Sequence, residues 1–161
     1  DKLAAMAGAE FFVTPFVDYR SADGWFRKYR VILIDGKPFG CHMGISSHWM
    51  IHYANAGMAE SADKRREEAQ FLAGFEQEFA ARHATALGEI HRALGLDYLG
   101  IDCAETPDGR LLVFEVDHAM VVHAMDPVDL FPYKQPAMRK VFDAFRQMLL
   151  KASMRAAPSL A

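Results

Sequence analysis

Residues 96–117 constrain the fold more than any other part of this sequence. Two apolar stretches, residues 96–104 and 110–117, flank the turn sequence ETPDG and have the length and composition of β-strands. Asp108 followed by Gly109 is a preferred pair for a two-residue type I′ hairpin loop. The sequence therefore predicts an antiparallel hairpin whose register is fixed by that loop.

The predicted register brings three carboxylates to one face of the hairpin. Asp102 is expected opposite Glu115, and Gly100 is expected opposite Asp117, where the missing side chain leaves open space. Like charges that oppose each other on a sheet are destabilising, whereas a bridging hard cation such as Mg²⁺ or Mn²⁺ reverses that effect. A three-residue loop with a bulge would shift the cross-strand pairing and still leave Glu115 and Asp117 on one face. The alternative is that all three acids simply face water.

The two faces of the hairpin are expected to differ in polarity. The face away from the acids is predicted to be core, formed by Ile101, Leu112, Phe114 and Val116. Leu111 and Val113 are expected on the acidic face. A transition-metal site is a further option, but the spacings of the candidate residues match no compact ligand motif. Those candidates are His42, His48, His52, His118 and His123.

The rest of the chain predicts an α+β fold with a largely antiparallel sheet. Strands are expected at residues 10–17, 25–35 and 37–44, with Asp35-Gly36 as a hairpin loop. Apolar residues recur every three to four positions from about residue 62 to residue 94, which predicts one long helix that Ser61 or Asp63 caps and Gly95 ends. Its charged start, DKRREE, is interpreted as solvated helix surface. A C-terminal helix is expected with Pro136 at its first position. Both helices are expected on one face of the sheet.

Length and composition favour one globular domain over residues 1–161, with residues 152–161 as a frayed tail. The opening sequence, from Leu3 to Met6, is typical of a helix already in progress, so a fragment of a longer protein is expected. A net charge of −3 gives no reason to expect nucleic acid as a ligand. No apolar run is long enough to span a membrane and no export signal opens the chain. Two cysteines in apolar surroundings favour reduced thiols, and a cytoplasmic location is expected.

Two basic residues on the long strand lie where they could meet a phosphate. Lys28 and Arg30 share a face, and Ile32 and Ile34 continue that face inward. A guanidinium beside apolar residues needs an anionic partner. That partner is either a bound phosphate or one of the acids of the hairpin, and the spacing favours neither.

Two segments together resemble the C-terminal half of an ATP-grasp domain. They are DGWFRKYRVILIDGKPFG, at residues 23–40, and LGLDYLGIDCAETPDGRLLVFEVD, at residues 94–117. In that family a strand arginine stands in a yRv-v-dGk context, and a D…E-x-N set carries two Mg²⁺ ions. The resemblance covers roughly residues 10–150, and its second motif is the more specific.

The resemblance implies roles for particular residues. Asp102 would bind one Mg²⁺ and Glu115 would bridge both, while Asp117, which stands where the family has Asn, would bind the second metal. Arg30, with Lys28 beside it, would contact the ATP phosphates and stabilise charge on the transferring phosphoryl group. The segment Thr14, Pro15, Phe16 and Val17 would present its backbone to adenine. Leu112 would line the adenine pocket, which conflicts with its predicted place in the core.

The implied activity is ATP-dependent ligation. A carboxylate would be converted to an acyl phosphate, and an amine or thiol would then displace the phosphate; the small carboxylate or amine substrate is not identifiable from the sequence. The remainder of the domain is expected before Asp1, so the fragment alone is expected to be inactive and to have weak or undetectable affinity for nucleotide. The alternative is a catalytically silent ATP-grasp-like module that binds nucleotide or protein, which the Asp at 117 favours. A metal-dependent hydrolase has only the carboxylates in its favour.

Overall fold

A computed structural model describes residue 10, residues 13–122 and residues 124–156. The chain has the predicted α+β class. Its strands are β1 (Phe26–Ile34), β2 (Lys37–Ser46), β3 (Tyr98–Glu105) and β4 (Leu111–Asp117). Its helices are α1 (Ala62–Gly74), α2 (Ala84–Leu94) and α3 (Lys134–Ala156), with a 3₁₀ turn at Tyr53–Asn55 and a π-helical turn at Glu76–Ala80.

The four strands form one antiparallel sheet in the order β2-β1-β3-β4. Asp35 and Gly36 connect β1 to β2, and both have positive φ angles, 49° and 78°, as the predicted two-residue hairpin loop requires. The helical region between β2 and β3 then returns the chain to the other side of β1. β1 and β3 are therefore the two central strands.

Both faces of the sheet are covered, so the expectation that the helices pack on one face is wrong. Val31 and Leu33 belong to one core cluster together with helical residues such as Phe79. Ile32 and Ile34 belong to a second cluster that includes Met138 and Val141 of α3. The reason lies in β1, where four consecutive apolar residues place an apolar side chain on each face.

The predicted long helix has the expected ends but is interrupted in its interior. The Ser61 hydroxyl accepts a hydrogen bond from the Lys64 amide at 3.3 Å, and Gly95 ends α2 in a left-handed conformation with φ of 63°. Between α1 and α2 the π-helical turn stacks Phe75 and Phe79, with ring centroids 5.7 Å apart, on the first core cluster. Since the apolar repeat continues through the turn, the sequence gives no sign of the break.

Two further differences concern the ends of the chain. Glu10 and residues 13–20 contain no strand, so the strand predicted at residues 10–17 is wrong for the part that is described. Pro15 lacks the amide hydrogen that a strand needs for pairing. α3 extends through Ala156 into the segment expected to be a tail, and it begins two residues before Pro136. Some predicted features lie outside the described residues. They are the helix expected at Leu3–Met6, the positions of Phe11, Phe12 and His123, and residues 157–161 of the expected tail.

Within the described chain, no helix combines the length and hydrophobicity needed to cross a membrane.

Candidate functional site

The predicted register is confirmed at the acidic residues. Asp102 pairs with Glu115, and Gly100 pairs with Asp117. The loop differs from the prediction, because residues 107–109 form a three-residue connection that the hydrogen bond from the Thr106 amide to the Arg110 carbonyl closes at 3.0 Å. Phe114 is an extra residue in β4, and the register shifts at this bulge. The longer loop and the bulge compensate each other, so the acids meet as expected.

The bulge corrects the predicted faces of β4. Leu112 pairs with Ala104, which lies two positions from Asp102, so Leu112 is on the acidic face rather than on the opposite one. Val113 pairs with Cys103 and is therefore on the face away from the acids. The conflict over Leu112 is thereby removed, although its contact with a nucleotide stays a prediction. Phe114, expected in the core, is 44% exposed and lies against Tyr19.

Asp102 is the best-anchored acid of the group. Its carboxylate accepts hydrogen bonds from Arg30 Nε at 2.7 Å, Arg30 Nη2 at 3.0 Å and Lys28 Nζ at 2.8 Å. The residue is only 3% exposed. Burial alone would raise its pKa, but the hydrogen bonds from Arg30 and Lys28 outweigh that effect and lower the pKa to about 2. Asp102 is therefore ionised at all physiological pH values.

Arg30 connects the acidic group to the chain segment that follows β4. Its Nη1 donates a hydrogen bond to the Val121 carbonyl at 3.1 Å. Burial disfavours the charged guanidinium, but the hydrogen bonds to Asp102 outweigh this, so the pKa of Arg30 is raised. Of the two partners left open for Arg30, the intrachain carboxylate is the one present. Contact with a phosphate stays a prediction.

Glu115 and Asp117 are more accessible than Asp102. Glu115 is exposed and forms no hydrogen bond or ion pair with the residues that are described. Asp117 Oδ1 accepts the Ala119 amide at 2.8 Å, and His118 Nδ1 lies 3.6 Å from it. The open space expected over Gly100 is absent, because the Met120 side chain fills it. Met120 is 6% exposed, so an apolar side chain closes this end of the acidic face.

All three carboxylates are suitable ligands for a divalent cation, but they are not equally accessible to one. Carboxylate oxygens are the ligands that Mg²⁺ prefers, and Glu115 and Asp117 both offer them. Asp102 Oδ1 accepts one hydrogen bond and Oδ2 accepts two, so only about one of the roughly four acceptor positions of this carboxylate is left for a cation. In the described ranges, no three His, Cys, Asp or Glu side chains are grouped closely enough to hold a metal.

The predicted adenine-binding segment lies apart from the core. Thr14, Pro15, Phe16 and Val17 are all exposed. The Phe16 ring packs edge-on against Trp49, with centroids 5.7 Å apart.

Tyr19, which sequence reasoning missed, anchors this segment to the sheet. Its ring lies 4.8 Å from that of Phe26 and 5.1 Å from that of Phe114, and its hydroxyl donates a hydrogen bond to the Trp49 carbonyl. Burial raises the pKa of Tyr19 to about 12. No periodicity marks Tyr19, because it stands in irregular chain.

A buried polar cluster at the β2 edge was also missed. Glu68 belongs to the charge run interpreted as solvated, and yet it is fully buried. Its carboxylate accepts hydrogen bonds from the Met43 amide at 3.1 Å, Tyr53 at 2.9 Å and Tyr133 at 2.6 Å. Lys134 Nζ lies 3.3 Å from the same carboxylate. The helix repeat could have placed Glu68 next to the core stripe, but only the fold supplies its partners.

The histidines are dispersed rather than clustered. His42 is buried, pairs with Arg30 across β1 and β2, and packs its ring 4.4 Å from that of Tyr53. His48, His52 and His118 are exposed. His123 lies outside the described residues. The histidine metal site considered from the sequence thus finds no support in the part of the chain that is described.

Comparison with known proteins identifies no family. No protein-family model matches the chain, and no curated protein matches it. The chain is similar to a solved structure, the crystal structure of the macrocyclase MdnB from Microcystis aeruginosa MRC, with 19% sequence identity. The match covers 69% of this chain and 35% of that one, so the chain spans about a third of that protein's length. At a TM-score of 0.28, this similarity carries no argument about fold or function.

Proposed function

We propose that this chain is the ATP- and Mg²⁺-binding portion of an ATP-grasp ligase that activates a carboxylate as an acyl phosphate. One observation carries the proposal. His42, Arg30, Asp102 and Glu115 form a single row across all four strands, each pairing directly with the next. A row of three charged side chains on one sheet face is costly unless the groups compensate one another or hold a charged ligand.

The two cations of the site are suited to bind the phosphates of a nucleotide. Lys28 and Arg30 are each about 15% exposed and are held at fixed positions by Asp102. Arg30 can present a planar fork of donors to a phosphate, and Lys28 can present a compact charge beside it. In the proposed reaction these residues bind and orient the phosphates, and Arg30 stabilises the negative charge on the transferring group.

The acidic residues are suited to hold the cation that accompanies a nucleotide. The protein ligands of this cation would be Glu115 and Asp117 together with Asp102. When bound, Mg²⁺ would offset the charge between the triphosphate and the substrate carboxylate. Asp117 in place of the family's Asn adds one negative charge to this set, which favours cation binding over phosphate contact.

The neighbouring apolar surface is suited to a base. Leu112 lies on the acidic face, two pairs from Glu115 along the hairpin. The Tyr19 ring covers Phe26 and Phe114 nearby, and Phe16 is held against Trp49 at the same end of β1. A nucleotide has a planar, largely apolar base and charged phosphates. The apolar region would hold the base, and the fixed cations and carboxylates beside it would hold the phosphates and their metal ion.

A titration of the ¹⁵N-labelled chain with MgATP, followed by two-dimensional NMR, tests the proposal even if affinity is only millimolar. The amide signals of Lys28, Arg30, Asp102 and Glu115 should shift together, and the shifts should be much smaller without Mg²⁺. Glu115→Gln should abolish the Mg²⁺ dependence, while the exposed control Glu60→Gln should leave it unchanged. Shifts of equal size with and without Mg²⁺ at up to about 10 mM nucleotide, a range that covers millimolar dissociation constants, would refute the metal assignment.

The second candidate, a catalytically silent module, is favoured by the state of Asp102. Both of its oxygens are occupied by Lys28 and Arg30, as in a site stabilised by internal ion pairs. A silent nucleotide-binding module would give equal shifts with and without Mg²⁺, and equal shifts in Glu115→Gln. A silent protein-binding module would give none. The same titration thus separates all three outcomes.

A further inference from the structure

α3 carries an apolar stripe that the rest of the described chain does not cover. Met138 and Val141 face the sheet, whereas four large residues beside them remain exposed. These are Phe142 at 47%, Phe145 at 37%, Leu149 at 51% and Leu150 at 45%. Together with Arg146 and Ser153 they line a shallow groove of about 460 Å³. α3 packs on the sheet face that carries the acids, and the Phe145 ring contacts Tyr98 on that face with centroids 5.4 Å apart, but no residue of the proposed nucleotide site lines the groove.

The spacing of these residues suits packing against another helix. Phe142, Phe145, Leu149 and Ser153 follow one another at intervals of three and four, which places them in one ridge. From residue 142 to residue 153 the ridge is roughly 16 Å long at 1.5 Å per residue. A ridge of three turns with a neighbouring groove is the surface that helix–helix packing uses.

The charges around the stripe define the partner further. α3 contains a single acidic residue, Asp143, and six basic ones, of which five are exposed. Lys140 is paired with Glu76 and Lys151 with Asp35, both at distances below 3 Å. Three exposed arginines, Arg139, Arg146 and Arg155, form no ion pair with any described residue. In a chain whose net charge is −3, the stripe is therefore locally basic.

We propose that this stripe binds an acidic amphipathic helix of a partner protein. Leucine-type side chains of the partner would fill the groove, and its carboxylates would meet Arg139 and Arg146. A second copy of this chain fits less well. A two-fold related pair would bring the same α3 surface of both copies together, and that surface carries five exposed basic residues and a single acid. Like charges would then predominate across that interface.

Two designed peptides probe the proposal in solution. Each has about four helical turns with Leu at positions i, i+3 and i+7, flanked by Glu in one peptide and by Lys in the other. Fluorescence anisotropy at about 50 mM salt, where exposed charges are little screened, should give at least tenfold tighter binding of the Glu peptide. Leu149→Gln should weaken that binding at least tenfold. Arg146→Glu should reverse the preference between the peptides.

The controls keep folding and charge separate from docking. Arg66→Glu makes the same charge change on exposed α1 and should leave peptide binding unchanged; circular dichroism should show that each variant is folded, since the altered side chains are exposed. Equal binding of both peptides, or of neither, would overturn the proposal. So would a wild-type dimer in analytical ultracentrifugation that Leu149→Gln dissociates, which would identify a second copy as the occupant. Leu149-dependent binding to phosphatidylserine vesicles without binding to the Glu peptide would identify a lipid surface instead.

Discussion

Asp102→Asn should destabilise the fold strongly at neutral pH and much less in acid. The substitution keeps the shape of the side chain and removes the charge that Lys28 and Arg30 share. The pKa of Asp102 falls from 3.8 to about 2 in the folded chain. At about 1.4 kcal/mol per unit, that shift corresponds to roughly 2 kcal/mol of stability at pH 7. Removing one partner of a buried ion pair typically costs about 3 kcal/mol or more, so the expected loss is about 2–3 kcal/mol.

The pH dependence follows from the direction of the pKa shift. Because the folded pKa lies below the unfolded one, the stabilisation is fully present above about pH 5 and disappears as the pH falls towards 2. At pH 3 about half of the pKa-linked part should remain. The difference in stability between wild type and Asp102→Asn should therefore be clearly smaller at pH 3 than at pH 7.

Urea unfolding followed by circular dichroism at both pH values measures this difference. Asp63→Asn is the matched control, since Asp63 is an exposed acid paired with Arg66 in the first turn of α1 and should change stability by no more than about 1 kcal/mol. A loss below about 1 kcal/mol for Asp102→Asn at pH 7, set against the typical cost of breaking a buried ion pair, would refute the reasoning. So would a loss that is the same at both pH values, because packing would then be responsible.

Two other substitutions test the packing that surrounds the site. Glu68→Gln should cost about 3 kcal/mol in urea unfolding, because it breaks a fully buried carboxylate–Lys134 pair; a loss under about 1 kcal/mol would mean that the cluster contributes little. Gly100→Ala should lower stability by about 1–3 kcal/mol, because a Cβ at this position would come within 2.2 Å of Met120 Cβ. Met120→Ala should not restore that loss in the double variant, because alanine keeps the clashing Cβ, and Gly88→Ala, with open space around it on α2, should instead stabilise slightly in thermal melts.

The antiparallel hairpin and its acids could be predicted from the sequence because local rules determine them. Asp35-Gly36 forms the expected loop, and Asp102 meets Glu115 as expected. The three-residue loop at residues 107–109 was an open alternative, but the sequence does not indicate that a compensating bulge falls at Phe114. The bulge places Phe114 against Tyr19, a residue in irregular chain nearly a hundred positions earlier, and such contacts follow only from the complete fold.

The partners of charged residues were the least predictable feature. The sequence places Lys28, Arg30 and Asp102 on strands, but which strands become neighbours depends on how the helical region between β2 and β3 crosses the sheet. Glu68 illustrates the same limit, because a helical charge run is usually solvated and only the proximity of β2 and α3 makes this carboxylate a buried acceptor. Local pattern therefore predicts elements better than it predicts ion pairs.

The most direct test of the proposed metal and nucleotide site uses Mn²⁺ in place of Mg²⁺. A small amount of MnATP added to the ¹⁵N-labelled chain should broaden the amide signals nearest the bound ion, because its unpaired electrons accelerate relaxation over short distances. The proposed site requires broadening centred on Asp102, Glu115 and Asp117, and its loss in Glu115→Gln. Broadening centred on any other part of the chain, or an unchanged pattern in Glu115→Gln, would contradict the assignment of these carboxylates.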